Sequence, residues 1–157
     1  MIEVKVKKLS PNAVVPKYAH ATDTGFDLYT SEDILLDPHS TGIAKTGLAF
    51  ELPAGWGIML RNRSGITVKG CPVVLPFDNL DIKIPVTVFI GTLDEDYRGE
   101  VGIMVRNESK YTIIIPKGTK LAQGVLEKIH QATFTVVEEL SETTRGEGGY
   151  GSTDKAI

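Results

Sequence analysis

An all-β domain folded as a jelly-roll-like β barrel is what this chain of 157 residues predicts, on three observations. Apolar residues recur with a period of two instead of 3.6. The apolar runs are short and bounded by Gly, Pro, Asn or Asp. The eight prolines fall mainly at run edges or between runs, where a missing N–H costs no ladder bond.

The elements follow in chain order. Ile2, Val4 and Val6 alternate with Glu3, Lys5 and Lys7, which predicts a half-buried first strand. Trp56, Ile58 and Leu60 alternate with Gly57 and Met59, a second such pattern that places Trp56 in the core. Further β-branched runs predict strands over 84–90, 101–105, 111–115 and 134–137. No stretch sustains helical periodicity. From Ser141 onward the chain is Ser, Glu, Thr, Gly and Arg with almost no apolar content, too little to offset the entropy of ordering. The expected organisation is a barrel domain over 1–140 and a flexible C-terminal arm over 141–157 that orders on binding.

Composition narrows the function classes. At 41% hydrophobic residues the chain can build one core, and 17 basic against 20 acidic side chains leave no basic excess to hold a nucleic-acid polymer. Cys71, the lone cysteine, cannot form an intrachain disulfide, and with Pro72 beside it and no His nearby in sequence it reads as a small core residue. The three histidines lie too far apart for zinc-ligand spacing. The N-terminus lacks an apolar signal core and no apolar run reaches membrane-spanning length, so the expected setting is the cytoplasm. Two Asn-X-Ser triplets, at Asn62 and Asn107, read as chance.

Five polar, glycine-bearing clusters interrupt the strand pattern: 21–28 (ATDTGFDL), 61–66 (RNRSGI), 91–100 (GTLDEDYRGE), 118–123 (GTKLAQ) and 145–153 (RGEGGYGST). Arg63, Ser64 and Gly65 offer a forked cation, a hydroxyl and an unhindered backbone N–H, the donor set a phosphate needs, with Ser64 placed to cap a short helical turn. The plainer reading is a surface turn with a solvated Arg. Asp94, Glu95 and Asp96 join Tyr97 between Gly91 and Gly99, a tight hairpin whose carboxylate suits a general base, although an acidic hairpin tip has the same spacing. Water attack on phosphorus needs proton removal and charge neutralisation, so one aspartate plus Mg²⁺ suffices. Asp27, between Phe26 and Leu28, points away from the core toward a cation, its waters or plain solvent. Gln123 follows an apolar pair, from which it can reach a phosphate or another loop. Gly146, Gly148 and Gly151 spell G-x-G-x-x-G, but no βαβ unit follows. What remains is a strip of backbone N–H groups with Arg145, Ser152 and Thr153 as phosphate donors and Tyr150 as a stacking ring, or else a disordered tail.

In this order the five clusters resemble the five motifs of the trimeric dUTP pyrophosphatases (dUTPases) from Ala21 to Thr153, the third and fifth most closely. The resemblance implies a jelly-roll-like barrel and a homotrimer whose three sites are each shared between subunits. It implies Mg²⁺-assisted hydrolysis of dUTP to dUMP and pyrophosphate, which limits uracil incorporation into DNA and supplies dUMP for dTMP synthesis. Asp94 would deprotonate the water that attacks the α-phosphorus. Tyr97 would pack beneath the deoxyribose and exclude a 2′-hydroxyl, while the backbone from Gly91 reads the edge of uracil. Arg63, Ser64, Gly65 and Gln123 would hold the phosphates, and Asp27 would reach Mg²⁺ through bound water. The arm would close over the nucleotide with Gly148 in its glycine strip, Tyr150 on uracil, and Arg145, Ser152 and Thr153 near the γ-phosphate.

Asn62 stands where the family usually has proline, Tyr150 replaces the commoner phenylalanine, and Asp154 replaces a small residue. The segment 70–90 is longer than the family usual and is expected to form an added hairpin or surface loop, on which a regulatory protein partner remains open. The rivals are a dCTP deaminase of the same superfamily, a binding protein on the same scaffold, and a structural jelly roll.

Overall fold

Thirteen strands and one short helix make up the described part of the computed structural model, which covers residues 2–77 and 80–149. In chain order they are β1 (Lys5–Lys8), β2 (Gly25–Tyr29), β3 (Ile34–Leu36), β4 (Thr41–Lys45), β5 (Leu48–Glu51), β6 (Trp56–Asn62), α1 (Ser64–Lys69), β7 (Cys71–Leu75), β8 (Leu80–Ile84), β9 (Val86–Val88), β10 (Gly91–Leu93), β11 (Gly102–Asn107), β12 (Ile113–Ile115) and β13 (Lys120–Lys128). They form four antiparallel ladders, β1-β5, β10-β6-β13-β2, β4-β11-β9 and β3-β12-β7-β8. The sheets do not close into a continuous ring, so the expected all-β architecture is present as a jelly-roll-like fold. Strand partners far apart in sequence enclose one core, in which Leu48, Ile103, Ile113, Ile115 and Leu121 are wholly inaccessible.

Period-two patterning places these elements because each inner face must meet another sheet. In β2, Phe26 and Leu28 are buried while Asp27 between them is turned toward the surface. The expected run over 84–90 is broken at Pro85, which offers no N–H to a ladder: β8 ends at Ile84 and β9 begins at Val86. The long segment after Gly70 does contain a hairpin. Its strands β7 and β8 pair from Cys71↔Ile84 to Leu75↔Leu80 and extend the sheet of β3 and β12.

Four expectations need correction. The first strand starts at Lys5, pairing Lys5 to Lys8 with Glu51 to Leu48, so Ile2 lies outside it. The run 134–137 is not a strand: Phe134 and Val136 are 93% and 98% exposed, because a strand needs a ladder partner and none of the described segments supplies one. Trp56 is half-buried at the wall of a cleft instead of in the core. Ser64 is the first residue of α1, the capping position falls to Arg63, and no side chain caps the helix.

Among the described residues, buried side-chain polar atoms all have hydrogen-bond partners. Asn107, wholly inaccessible, donates its side-chain amide to the carbonyls of Leu36, Asp37 and Tyr111 and accepts from the N–H and hydroxyl of Ser109. One side chain thus ties the β3–β4 turn to the β11–β12 turn. Cys71 is inaccessible as well, and burial pushes its thiol up to about 12, as expected of a core residue and not of a nucleophile.

Candidate active site

Three of the five clusters meet at one end of the β10-β6-β13-β2 sheet. The register aligns Asp27 with Gln123 and Gln123 with Arg61, while the chain leaving β6 turns through Arg63 into α1. Asp27, Arg63, Ser64, Gly65 and Gln123 line a cleft of about 350 Å³ with Ala19, Asp23, Thr24 and Gly25. Arg63 Nε donates to Asp27 Oδ1 at 2.7 Å and its Nη1 to the Lys120 carbonyl at 3.0 Å. Lys120 Nζ lies 2.9 Å from the other oxygen of Asp27. Gln123 Nε2 donates to the Asn62 carbonyl at 2.8 Å, which braces the loop where proline is absent.

The first N–H groups of α1, those of Ser64 and Gly65, have no intrahelical acceptor by geometry and sit on the exposed side of the cleft. A side chain at Gly65 would meet open space, so nothing within this chain demands glycine there. Glycine there leaves the first α1 amides open to a group that approaches from outside. Such a cleft, with a guanidinium, a hydroxyl and free amides in its lining and the Lys120 ammonium held behind it on Asp27, can receive an anion.

Asp27 organises the cations. Burial acts most strongly on its carboxyl and would raise it, but the hydrogen bond from Lys120 and the charge and hydrogen bond of Arg63 together outweigh burial and hold it below the ordinary 3.8. A depressed carboxyl stabilises the fold above the unfolded value and loses that contribution as pH falls through the folded one. Denaturant unfolding of the wild type and Asp27→Asn at successive pH values is therefore expected to show a stability gap at pH 5 to 7 that narrows below about pH 3.8. A gap independent of pH would refute this account.

The two engaged oxygens leave further lone pairs on Asp27, and Asp23 lines the same cleft. This donor set fits Mg²⁺ held chiefly by its waters and by substrate phosphates. It does not fit direct caging, since no group of three or more metal-ligating side chains gathers among the described residues.

The third cluster lies elsewhere. β10 pairs with the middle of β6 and runs toward its start, Gly91↔Leu60 to Leu93↔Ile58, so Asp94 emerges beside Gly57 and not beside Ser64. The chain then turns, with the Tyr97 N–H donating to the Asp94 carbonyl. Tyr97 Oη donates to the Glu100 carbonyl at 3.1 Å. Its ring lies over Gly99, where any side chain would overlap it. The ring is thereby a fixed wall of a cleft of about 210 Å³ that also holds Asp94, Thr92 and Leu60. A second cleft of about 700 Å³ opens on the other side of the tip, with Asp94, Glu95, Asp96, Trp56 and Gln131 in its lining.

Of the fifth cluster, Arg145 Nε donates to the Gly148 carbonyl within a local turn, and both residues lie away from the two clefts' linings. Tyr150, Ser152 and Thr153 fall outside the described residues. Sequence reasoning missed Lys120, although it sits inside the fourth cluster; only the strand register, which brings its Nζ to Asp27, reveals it. It also missed the braces on the Asp94 turn, for which no sequence signal exists.

Comparisons with known proteins agree with this architecture. The dUTPase family model matches residues 11–154. A deoxyuridine 5'-triphosphate nucleotidohydrolase of Helicobacter pylori (strain Shi470) is 38% identical over 152 residues, 97% of each chain. One from Clostridioides difficile is 39% identical over 153 residues, covering 98% of this chain and 99% of that one. A mutant dUTPase of Staphylococcus bacteriophage 80alpha, solved with dUpNHpp, has a TM-score of 0.79 at 27% identity, covering 96% of this chain and 98% of its own. A mutant dUTPase of phage phi11 of S. aureus, described with a structural Mg(II) ion, has a TM-score of 0.72 at 26% identity over 87% of this chain and 97% of its own. A barrel carrying these clusters in this order, with full-length relatives of one kind, belongs to the dUTPase family.

Proposed function

We propose that this chain is a dUTP diphosphatase that hydrolyses dUTP to dUMP and pyrophosphate, with Asp94 as general base. The observation that carries the reading is the separation of two complementary half-sites on one strand, one able to bind phosphate and one carrying a carboxylate beside a fixed aromatic wall.

Asp94 takes a proton from a water molecule as that water bonds to the α-phosphorus. The bond from this phosphorus to the α,β-bridging oxygen breaks, and pyrophosphate leaves with the electron pair. Arg63, the Ser64 hydroxyl and the α1 amides hold the phosphates and take up their charge, with Lys120 adding positive charge through Asp27 and Gln123 fixing the loop. Asp27 would hold Mg²⁺ through water, and the ion would supply further charge neutralisation. Tyr97, held by Glu100 and Gly99, denies space to a 2′-hydroxyl, and the β10 backbone from Gly91 offers hydrogen bonds to the base. The arm over 141–157, with Arg145, Gly148, Tyr150, Ser152 and Thr153, closes on the nucleotide and excludes bulk water.

The two half-sites belong to different copies. Asp94 follows the residue paired with Ile58, whereas Ser64 lies six residues further along, a run of about 20 Å at roughly 3.3 Å per residue. Three phosphate groups cannot bridge that span and still bring the α-phosphorus to a water on Asp94. A homotrimer with shared sites removes the difficulty. Exposed apolar residues give such an assembly something to bury: Phe134 and Val136, and the row of Ile43 in β4, Met104 in β11 and Phe89 just after β9.

Incubation with Mg²⁺ and dUTP, dCTP, dTTP or UTP, following pyrophosphate and ammonia, tests the reading. Pyrophosphate from dUTP alone is expected. Ammonia from dCTP would mean a deaminase, and no turnover would sink the enzymatic reading.

A further inference from the structure

The turn that carries Asp94 is anchored from outside itself. The Glu95 carboxylate accepts a hydrogen bond from the Gly55 N–H, although the two residues lie on different connections. Gly55 has φ +76 in the turn closed by Trp56 N–H to the Pro53 carbonyl, a geometry that favours glycine at this position and turns the Gly55 N–H outward. Its carbonyl is held in turn by the Ile129 N–H at 2.8 Å, so Gly55 is fixed to the end of β13 before Glu95 reaches it. Arg98 Nη1 donates to the carbonyls of Glu95 at 2.6 Å and Tyr97 at 3.1 Å, clasping the turn on its other flank. The side chains that follow Asp94 and Tyr97, those of Glu95 and Arg98, are thus committed to holding this backbone still.

We propose that Glu95 is a positioning residue: by docking on the Gly55 amide it sets where the Asp94 carboxylate stands relative to the attacked phosphorus. The inference rests on Asp94 being the base. Glu95 itself touches neither water nor substrate in this account. Its bond to Gly55 substitutes for the ladder that β10 lacks beyond Leu93, where pairing with β6 ends. A general base displaced by about 1 Å loses on the order of 10²-fold in rate, so an anchor one residue away acts on turnover before it acts on binding. Trp56, the only tryptophan, follows Gly55 directly and lines the same cleft as Glu95, which makes its emission a reporter of the docked turn.

The experiment compares Glu95→Ala, Glu95→Gln, Asp94→Asn and the Glu95→Ala/Asp94→Asn double variant in the full chain with Mg²⁺ and dUTP. Glu95→Ala is expected to lower kcat roughly 10- to 100-fold with KM changed less than about threefold, and to shift Trp56 emission. Glu95→Gln keeps an acceptor oxygen for the Gly55 N–H and is expected to recover most of kcat and the native emission. The double variant should fall no lower than Asp94→Asn, because Glu95 works through that carboxylate. An undiminished kcat in Glu95→Ala overturns the inference, and so does a loss that Glu95→Gln fails to rescue. An active Asp94→Asn would instead overturn the assignment of the base, so the two failures are told apart.

Discussion

Asp94→Asn is expected to lower pyrophosphate release from dUTP by about 10²- to 10⁴-fold, the range a positioned general base supplies, with little change in KM. Asparagine keeps the shape of the side chain and cannot accept a proton at neutral pH. The fold should be indifferent, because the carboxylate is exposed and the turn is closed by backbone and by Glu95 and Arg98. Circular dichroism and melting temperature should therefore match the wild type while turnover collapses. Near-wild-type kcat in a folded variant would remove Asp94 from the mechanism and turn attention to Asp96, which lines the neighbouring cleft.

Asn107→Leu has the largest expected effect on stability. Leucine nearly conserves volume but leaves the carbonyls of Asp37 and Tyr111 and the N–H of Ser109 without the partner that Asn107 provides. Each unsatisfied buried group costs about 1–3 kcal/mol, so a loss of roughly 3–5 kcal/mol is expected after partial rehydration. For a chain of this size that lowers Tm by roughly 10 °C or more. Asn62→Ala is the natural control: it sits in the same Asn-X-Ser pattern but is exposed, and should move stability by less than about 0.5 kcal/mol. Equal melting of the two variants would show that the Asn107 network is not what holds these turns.

The contrast between those asparagines shows where sequence stops being legible. Alternation at Phe26, Asp27 and Leu28 revealed a strand and its outward aspartate, because burial of one face is a local, period-two property. The clusters at 61–66 and 91–100 revealed chemistry because residue type alone limits what such loops can do. Nothing local distinguishes Asn107 from Asn62, since burial depends on which distant strands surround a position. The same limit hid Lys120 and Glu95, whose partners Asp27 and Gly55 come near only through strand pairing and turn packing. The 134–137 run failed in the opposite direction. Its β-branched and aromatic content is that of a paired strand, but pairing requires a second chain segment, and composition does not say whether that segment lies in the same molecule.

The buried thiol of Cys71 gives the protein a clock. A side chain with no solvent contact and a pKa pushed up to about 12 presents almost no thiolate to a disulfide reagent while β7 stays paired. Labelling must wait until the β7–β8 hairpin leaves the sheet, so its rate counts opening events of the barrel. Because each chain holds a single cysteine, the count arrives as one exponential with nothing to deconvolute.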